Sequence, residues 1–238
     1  MFALGTIVNT LAIIAGGIGG LLFGKMLGER HQETLTRTCG VCTLFIGISG
    51  ALEGMMTVEG SRLSGSGSLL IIACLAIGAL IGEMLNIEDA FERFGAWLKI
   101  KTGNAKDKQF INGFVTASLT VCIGAMAIVG SIQDGLSGDP STLFTKSILD
   151  FIIVIIFAST YGKGAIFSAL PVGVLQGGVT ICAGLLAPVF SPAVIANLSF
   201  LGSMLIFCVG VNLAFGNRFR VANMLPALVL GALFTVLI

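Results

Sequence analysis

Eight apolar runs separated by short polar breaks lie at roughly 3–24, 38–58, 68–85, 110–133, 143–162, 164–186, 193–215 and 221–238. Each is close to the ~20 residues, at ~1.5 Å rise, that carry a helix across a ~30 Å hydrocarbon layer. They are too long and too evenly apolar for the short alternating strands of a membrane barrel. The pattern predicts an all-α polytopic membrane protein of one domain, with about eight transmembrane helices. One segment reads differently. In 87–100, Ile87, Phe91, Phe94, Trp97 and Leu98 fall near one helical face, and Glu88, Asp89, Glu92 and Arg93 occupy the other. That predicts an amphipathic helix in the cytoplasmic headgroup layer anchored by the only Trp. A plain solvated connector is the alternative.

Composition agrees with a lipid solvent: 55% of the 238 residues are hydrophobic, only 11% are charged, and the mean hydropathy is +1.02. The cations then set the orientation. With eight spans, Lys25, Arg30, Arg37, Arg93, Lys99, Lys101, Lys106, Lys108, Lys163, Arg218 and Arg220 all fall on one side. The other side has Arg62, with Lys146 just inside the fifth run. Positive loops stay in the cytoplasm, so both termini are expected outside. The first run begins at Phe2 with no basic segment before it, so a retained span is expected rather than a cleaved signal peptide.

Polar residues inside such runs are costly and therefore informative. A pentad recurs around one of them: Gly50-Ala51-Leu52-Glu53-Gly54, Gly130-Ser131-Ile132-Gln133-Asp134 and Gly173-Val174-Leu175-Gln176-Gly177. Thr6-Ile7-Val8-Asn9 and Ser147-Ile148-Leu149-Asp150 echo each other in the preceding helices. These matches predict helical hairpins duplicated in tandem, a common transporter plan. Asn9, Glu53, Gln133, Lys146, Asp150 and Gln176 are the expected solute- or ion-binding residues, meeting in the outer half of the bundle.

The plainer readings stay open. Glu53, Gln133 and Asp134 lie near helix ends, where they can reach the interface. Lys146 and Asp150, four apart on one face, either lock helices together as a neutral pair or form a proton or cation site. Glu83 reads as a solvated helix end. Pro171 precedes Gln176, and Gly177-Gly178 follow it, so a kink is expected there as the hinge for alternating access. Gly16, Gly20, Gly24 and Gly28 form a smooth strip on the first helix. It serves packing within the bundle or, alternatively, a homo-oligomer through Gly16, Gly20 and Gly24.

Other chemistry is sparse. Cys39 and Cys42 form a CxxC without a second pair or a His cluster, and Cys74, Cys122, Cys182 and Cys208 are scattered through the apolar runs. No HExxH, phosphate-cradling loop or nucleophile elbow occurs. No metal, cofactor, enzymatic or nucleic-acid role is therefore expected. The runs Gly124-Ala125-Met126-Ala127-Ile128-Val129-Gly130-Ser131-Ile132-Gln133-Asp134-Gly135, Thr145-Lys146-Ser147-Ile148-Leu149-Asp150, Gln176-Gly177 and Asn223-Met224-Leu225-Pro226-Ala227 resemble the YqgA/YdfK-type family. Its members are uncharacterised bacterial integral membrane proteins, often labelled as candidate transporters. The resemblance implies a bacterial cytoplasmic (inner) membrane location and a multi-helix bundle, and brings no substrate or functional residues. The expected function is movement of a small solute or ion. An ion channel and a non-transporting scaffold or signalling protein are the alternatives.

Overall fold

The computed structural model of the protein describes residues 3–24, 26, 28–59, 62–65, 68–123 and 125–237. Lys25 of the charge pattern, Gly124 of the family-like run and Ile238 of the last apolar run lie outside the described residues. The described residues are mostly helical, with one four-residue strand pair among them. The helices are α1 (Leu4–Gly24), α2 (Glu29–Met55), α3 (Ser68–Leu85), α4 (Ile87–Lys101), α5 (Phe110–Cys122), α6 (Ala125–Leu136), α7 (Ser141–Tyr161), α8 (Ala169–Ile181), α9 (Ala183–Leu186), α10 (Pro192–Phe215) and α11 (Pro226–Leu237). The strands β1 (Met56–Glu59) and β2 (Arg62–Gly65) pair antiparallel between α2 and α3, from Met56↔Gly65 to Glu59↔Arg62. They end α2 three residues before the apolar run suggests. At the junction the Met56 amide donates to the Leu52 carbonyl, closing the last turn of α2.

Among the described residues, four helical stretches are long and apolar enough to cross a membrane: Leu4–Gly24, Arg30–Met55, Ser141–Ile181 and Pro192–Phe215. A fifth arises if the bent pair α5–α6 counts as one. The runs at 68–85 and 221–238 appear as the shorter apolar helices Ile72–Leu85 and Val221–Val236. The stretch Ser141–Ile181 folds back on itself. Gly162 at the end of α7 takes φ +79°, and a 3-10 turn over Gly162–Ser168 leads into α8. Glycine tolerates that conformation because it has no Cβ.

Two tight helix pairs build the bundle. In the first, α1 runs parallel to α7: a Cβ on Gly16 would stand 2.6 Å from the Phe151 carbonyl oxygen, and one on Gly24 would stand 2.7 Å from that of Ser159. Gly20 meets Ile155 in the same way. In the second, α2 runs antiparallel to α10, with Gly40 against Ala214, Gly47 against Phe207 and Gly54 against Phe200. Gly78 and Gly82 likewise seat α3 on Ala227 and Asn223. Backbones at this separation gain dispersion contacts that lipid cannot match. The strip Gly16, Gly20 and Gly24 is thus taken up inside the chain by α7, as the packing reading expects and in place of the alternative oligomer face.

Two breaks fall elsewhere than the sequence suggests. The run at 110–133 is not one helix: α5 and α6 meet at a 61° bend around Ile123, whose ψ of 121° is extended. Two β-branched residues, Val121 and Ile123, with Gly124 after them, make the helix weak at that point. Conversely, α8 is continuous through Gly177 and Gly178. Pro171 sits in its first turn, where a missing N–H removes no intrahelical bond, so it starts the helix rather than kinking it. The expected hinge at Pro171, Gly177 and Gly178 is corrected accordingly.

Candidate functional site

Three helices bring four of the expected residues together. Asp150 of α7 accepts from the Lys146 ammonium at 2.8 Å on each carboxylate oxygen. Asn9 of α1 donates through Nδ2 to Asp150 Oδ2 at 2.9 Å and to Gln176 Oε1 of α8 at 3.2 Å. All four are buried: Asn9 is 0% exposed, Gln176 1%, Asp150 3% and Lys146 7%. Their meeting follows from the packing, because α1 lies parallel to α7 and antiparallel to α8. Asn9 therefore faces the first half of α7 and the second half of α8 at once.

The Lys146 side chain does not reach outward to the headgroups. It donates to the Val121 carbonyl oxygen at 2.8 Å, in the last turn of α5. The bend after α5 frees carbonyls there, and a cation suits the negative end of the helix. The broken run thus supplies the third partner of the ion pair. Burying an ammonium and a carboxylate is tolerable only when both are paired and hydrogen-bonded, and these are. Two atoms of the cluster are not satisfied. Asn9 Oδ1 and Gln176 Nε2 are buried and make no hydrogen bond with the described residues.

One acidic residue read as an ordinary helix end belongs to this region. Asp134 of α6 is 1% exposed, and its Oδ2 accepts from the Gly5 amide in the first turn of α1 at 2.9 Å. It caps that helix from another element, and its charge sits at the positive end of the α1 dipole. Its Oδ1 has no hydrogen-bond partner among the described residues. A weak contact of 3.4 Å joins the Thr6 and Thr180 hydroxyls, one turn from Asn9 and Gln176. A buried polar column therefore follows α1, from Asp134 past the two threonines to the carboxamides and the ion pair. The signal for Asp134 was present in the sequence: Ala127, Ser131 and Asp134 share one small, buried face at helical spacing.

Gln133 is exposed, turned away from that face, and its Oε1 accepts from Thr142 at 2.7 Å. Glu53 is also exposed, one position before Gly54, which packs on Phe200. Neither lines the cluster, which corrects the expectation for both. The recurring pentad frames a buried polar residue once, at Gln176, and an exposed one twice.

Around Gln176, the α8 glycines are loose. A Cβ on Gly173 would find Thr10 Oγ1 at 3.4 Å, one on Gly177 would find Thr6 at 4.0 Å, and one on Gly178 nothing within 4 Å. Unlike those of α1 and α2, these glycines are not required by close packing. At the other end of the bundle, Glu83 accepts from Arg220 Nη1 at 2.8 Å and from Asn223 Nδ2 at 2.6 Å. Asn223 Oδ1 in turn accepts from the Glu88 amide at 2.8 Å, capping α4. Among the described residues, no three His, Cys, Asp or Glu side chains are grouped to hold a metal ion.

Residues 4–236 match a family described as a protein of unknown function, DUF554. The uncharacterized membrane protein YdfK of Bacillus subtilis strain 168 is 30% identical over 226 residues, covering 95% of this chain and 93% of that one. The uncharacterized protein YqgA of Escherichia coli K12 is 30% identical over 231 residues, covering 95% and 94%. No solved structure matches.

Proposed function

The chain belongs to the DUF554 family of proteins of unknown function, and from that premise we propose that it carries a small polar solute or ion across the bacterial cytoplasmic membrane. The observation that carries this reading is the junction of Lys146, Asp150, Asn9 and Gln176, from three helices, at the end of a broken helix. Ionisable groups buried in a membrane bundle mark solute and ion pathways, and discontinuous helices commonly line them. Native interiors pair nearly all of their buried polar groups, so each group left open asks for an explanation. Here Gln176 Nε2 offers a donor and Asn9 Oδ1 an acceptor.

The path runs along α1. A solute passes Asp134, Thr6 and Thr180 and meets the two carboxamides, whose open atoms orient it. A cationic solute that competes for the Asp150 carboxylate loosens the ion pair and lets Lys146 shift towards the α5 carbonyls. The bend between α5 and α6 supplies the hinge for alternating access. The reading takes eight spans, both termini outside and the basic loops inside. The alternation of helix directions supports it: α1 and α7 run one way, and α8 runs back between the ends they share.

Cysteine accessibility tests the central claim. In a background without native cysteines, Thr6→Cys and Thr180→Cys should react with a membrane-impermeant thiol reagent from the side where α1 begins. Asp150→Asn should change the labelling rate. Complete protection of both positions in native membranes, in every variant, would mean a dry structural network and end the transport reading.

A further inference from the structure

A second feature, separate from the polar column and independent of the transport reading, lies between α4 and the centre of the bundle. A cavity of about 230 Å3 is enclosed by Leu119 of α5, Leu175 of α8, Leu198 of α10 and Leu228 of α11, with Phe91 and Pro171 at its margin. Its lining is almost wholly apolar. Phe91 and Pro171 also border a wider groove of about 720 Å3 on the outside of the bundle, floored by Phe94, Trp97, Leu170 and Val174. Two of those residues are strongly exposed, Trp97 at 55% and Val174 at 75%. Groove and cavity share Phe91 and Pro171, so an apolar surface runs from the outside of the bundle into its interior.

Water finds no partners in such a cavity, and an apolar cavity of roughly 150 Å3 already admits benzene. An unfilled void forfeits the dispersion contacts of its lining. Leu170, Pro171 and Val174 of the groove belong to Ser141–Ile181, a stretch long and apolar enough to cross a membrane. One turn beyond the Trp97 and Leu98 of the groove, α4 ends in two cations. Lys101 is exposed and lies four residues after Trp97 and three after Leu98, on the same face of α4. Lys99 is its neighbour in the last turn, so the end of α4 presents a positive pole that suits an anionic headgroup.

We propose that this cavity and groove bind one anionic phospholipid. One acyl chain threads past Phe91 and Pro171 into the cavity, and the phosphate rests on Lys101. The lipid acts as a structural ligand that fills the space between α4, α8 and α11. Pro171 thereby has a use other than a hinge: it lines both the groove and the cavity.

The test uses the full chain reconstituted in vesicles of equal parts phosphatidylcholine and phosphatidylglycerol. After gentle extraction, native mass spectrometry should show one phosphatidylglycerol retained per chain. Leu228→Phe, which narrows the cavity, should cut that retention about tenfold, as expected for losing roughly two methylenes of burial. Lys101→Glu leaves the interior intact and should shift the retained lipid to phosphatidylcholine. A double variant, Trp97→Phe with Phe91→Trp, gives an independent reading. Its fluorescence should be quenched by lipid brominated in mid-chain, and Leu228→Phe should relieve that quenching. Retention and quenching unmoved by Leu228→Phe would mean annular lipid only, and no retained lipid in the wild type would mean no site. Either result overturns the proposal, even if the Thr6 and Thr180 labelling succeeds.

Discussion

At the scale of single residues, the ion pair of Lys146 and Asp150 is costly to open and cheap to replace. Lys146→Ala leaves a buried carboxylate held by Asn9 alone and should cost about 3–5 kcal/mol, read by equilibrium unfolding in mixed micelles. Replacing both partners, Lys146→Met with Asp150→Leu, should restore most of that stability. If the transport reading is right, the double variant folds but carries nothing. Asp134→Ala removes the tertiary cap of α1 and should cost roughly 1 kcal/mol. Residue chemistry also explains what the sequence showed and what it hid. Asn9, Asp150 and Gln176 were visible because polar side chains rarely occur within apolar runs. Asp134 was misread because it lies near a run's end, where only the register of Ala127 and Ser131 reveals that it points inward.

At the scale of elements, glycine position decides sign. Gly20→Val drives a branched side chain into the Ile155 backbone of α7 and should destabilise the bundle by about 1–3 kcal/mol. Gly178→Ala enters open space within a helix and should stabilise by roughly 0.5–1 kcal/mol. Both are measured in the same unfolding assay. Equal penalties for the two would mean that the close α1–α7 approach is not what holds that pair. The α4 junction carries a pH dependence. Burial pushes the Glu88 carboxyl above its ordinary value, against the opposing hydrogen bond from the Ala222 amide. The folded state therefore holds this proton more tightly than the unfolded chain does. Stability from Glu88 is present at acid pH, below its ordinary value, and is lost as pH rises through the raised one. Glu88→Gln should abolish that slope, so its stability relative to wild type should improve with rising pH across the acid range.

At the scale of the whole molecule, the charge asymmetry and the helix directions make one testable arrangement. With eight spans, Lys106→Cys should label only from the cytoplasm and Ser137→Cys only from outside. Labelling of both from one side would remove a span between them and, with it, the assignment of α5–α6 as one crossing. The molecule holds two tight helix pairs, α1 with α7 and α2 with α10. The polar cluster belongs to the first pair, and the apolar cavity lies between α5, α8, α10 and α11. Local repeats did not predict these partnerships. Glu53, Gln133 and Gln176 share a pentad, yet only Gln176 faces a neighbour that buries it.

The amino-acid sequence by itself determined the solvent and the class of element. Runs of apolar residues near twenty long cannot be satisfied in water, and in lipid each must close its own backbone bonds as helix. It determined the amphipathic α4 in the same way, from a one-sided pattern. Tertiary structure decided where the helices break, which glycines touch and which polar groups meet. Those outcomes depend on neighbours far along the chain: Asn9 finds Asp150 and Gln176 only because α1 lies between α7 and α8. The bend after Cys122 has its freed Val121 carbonyl answered by Lys146, which lies 25 residues away in the chain.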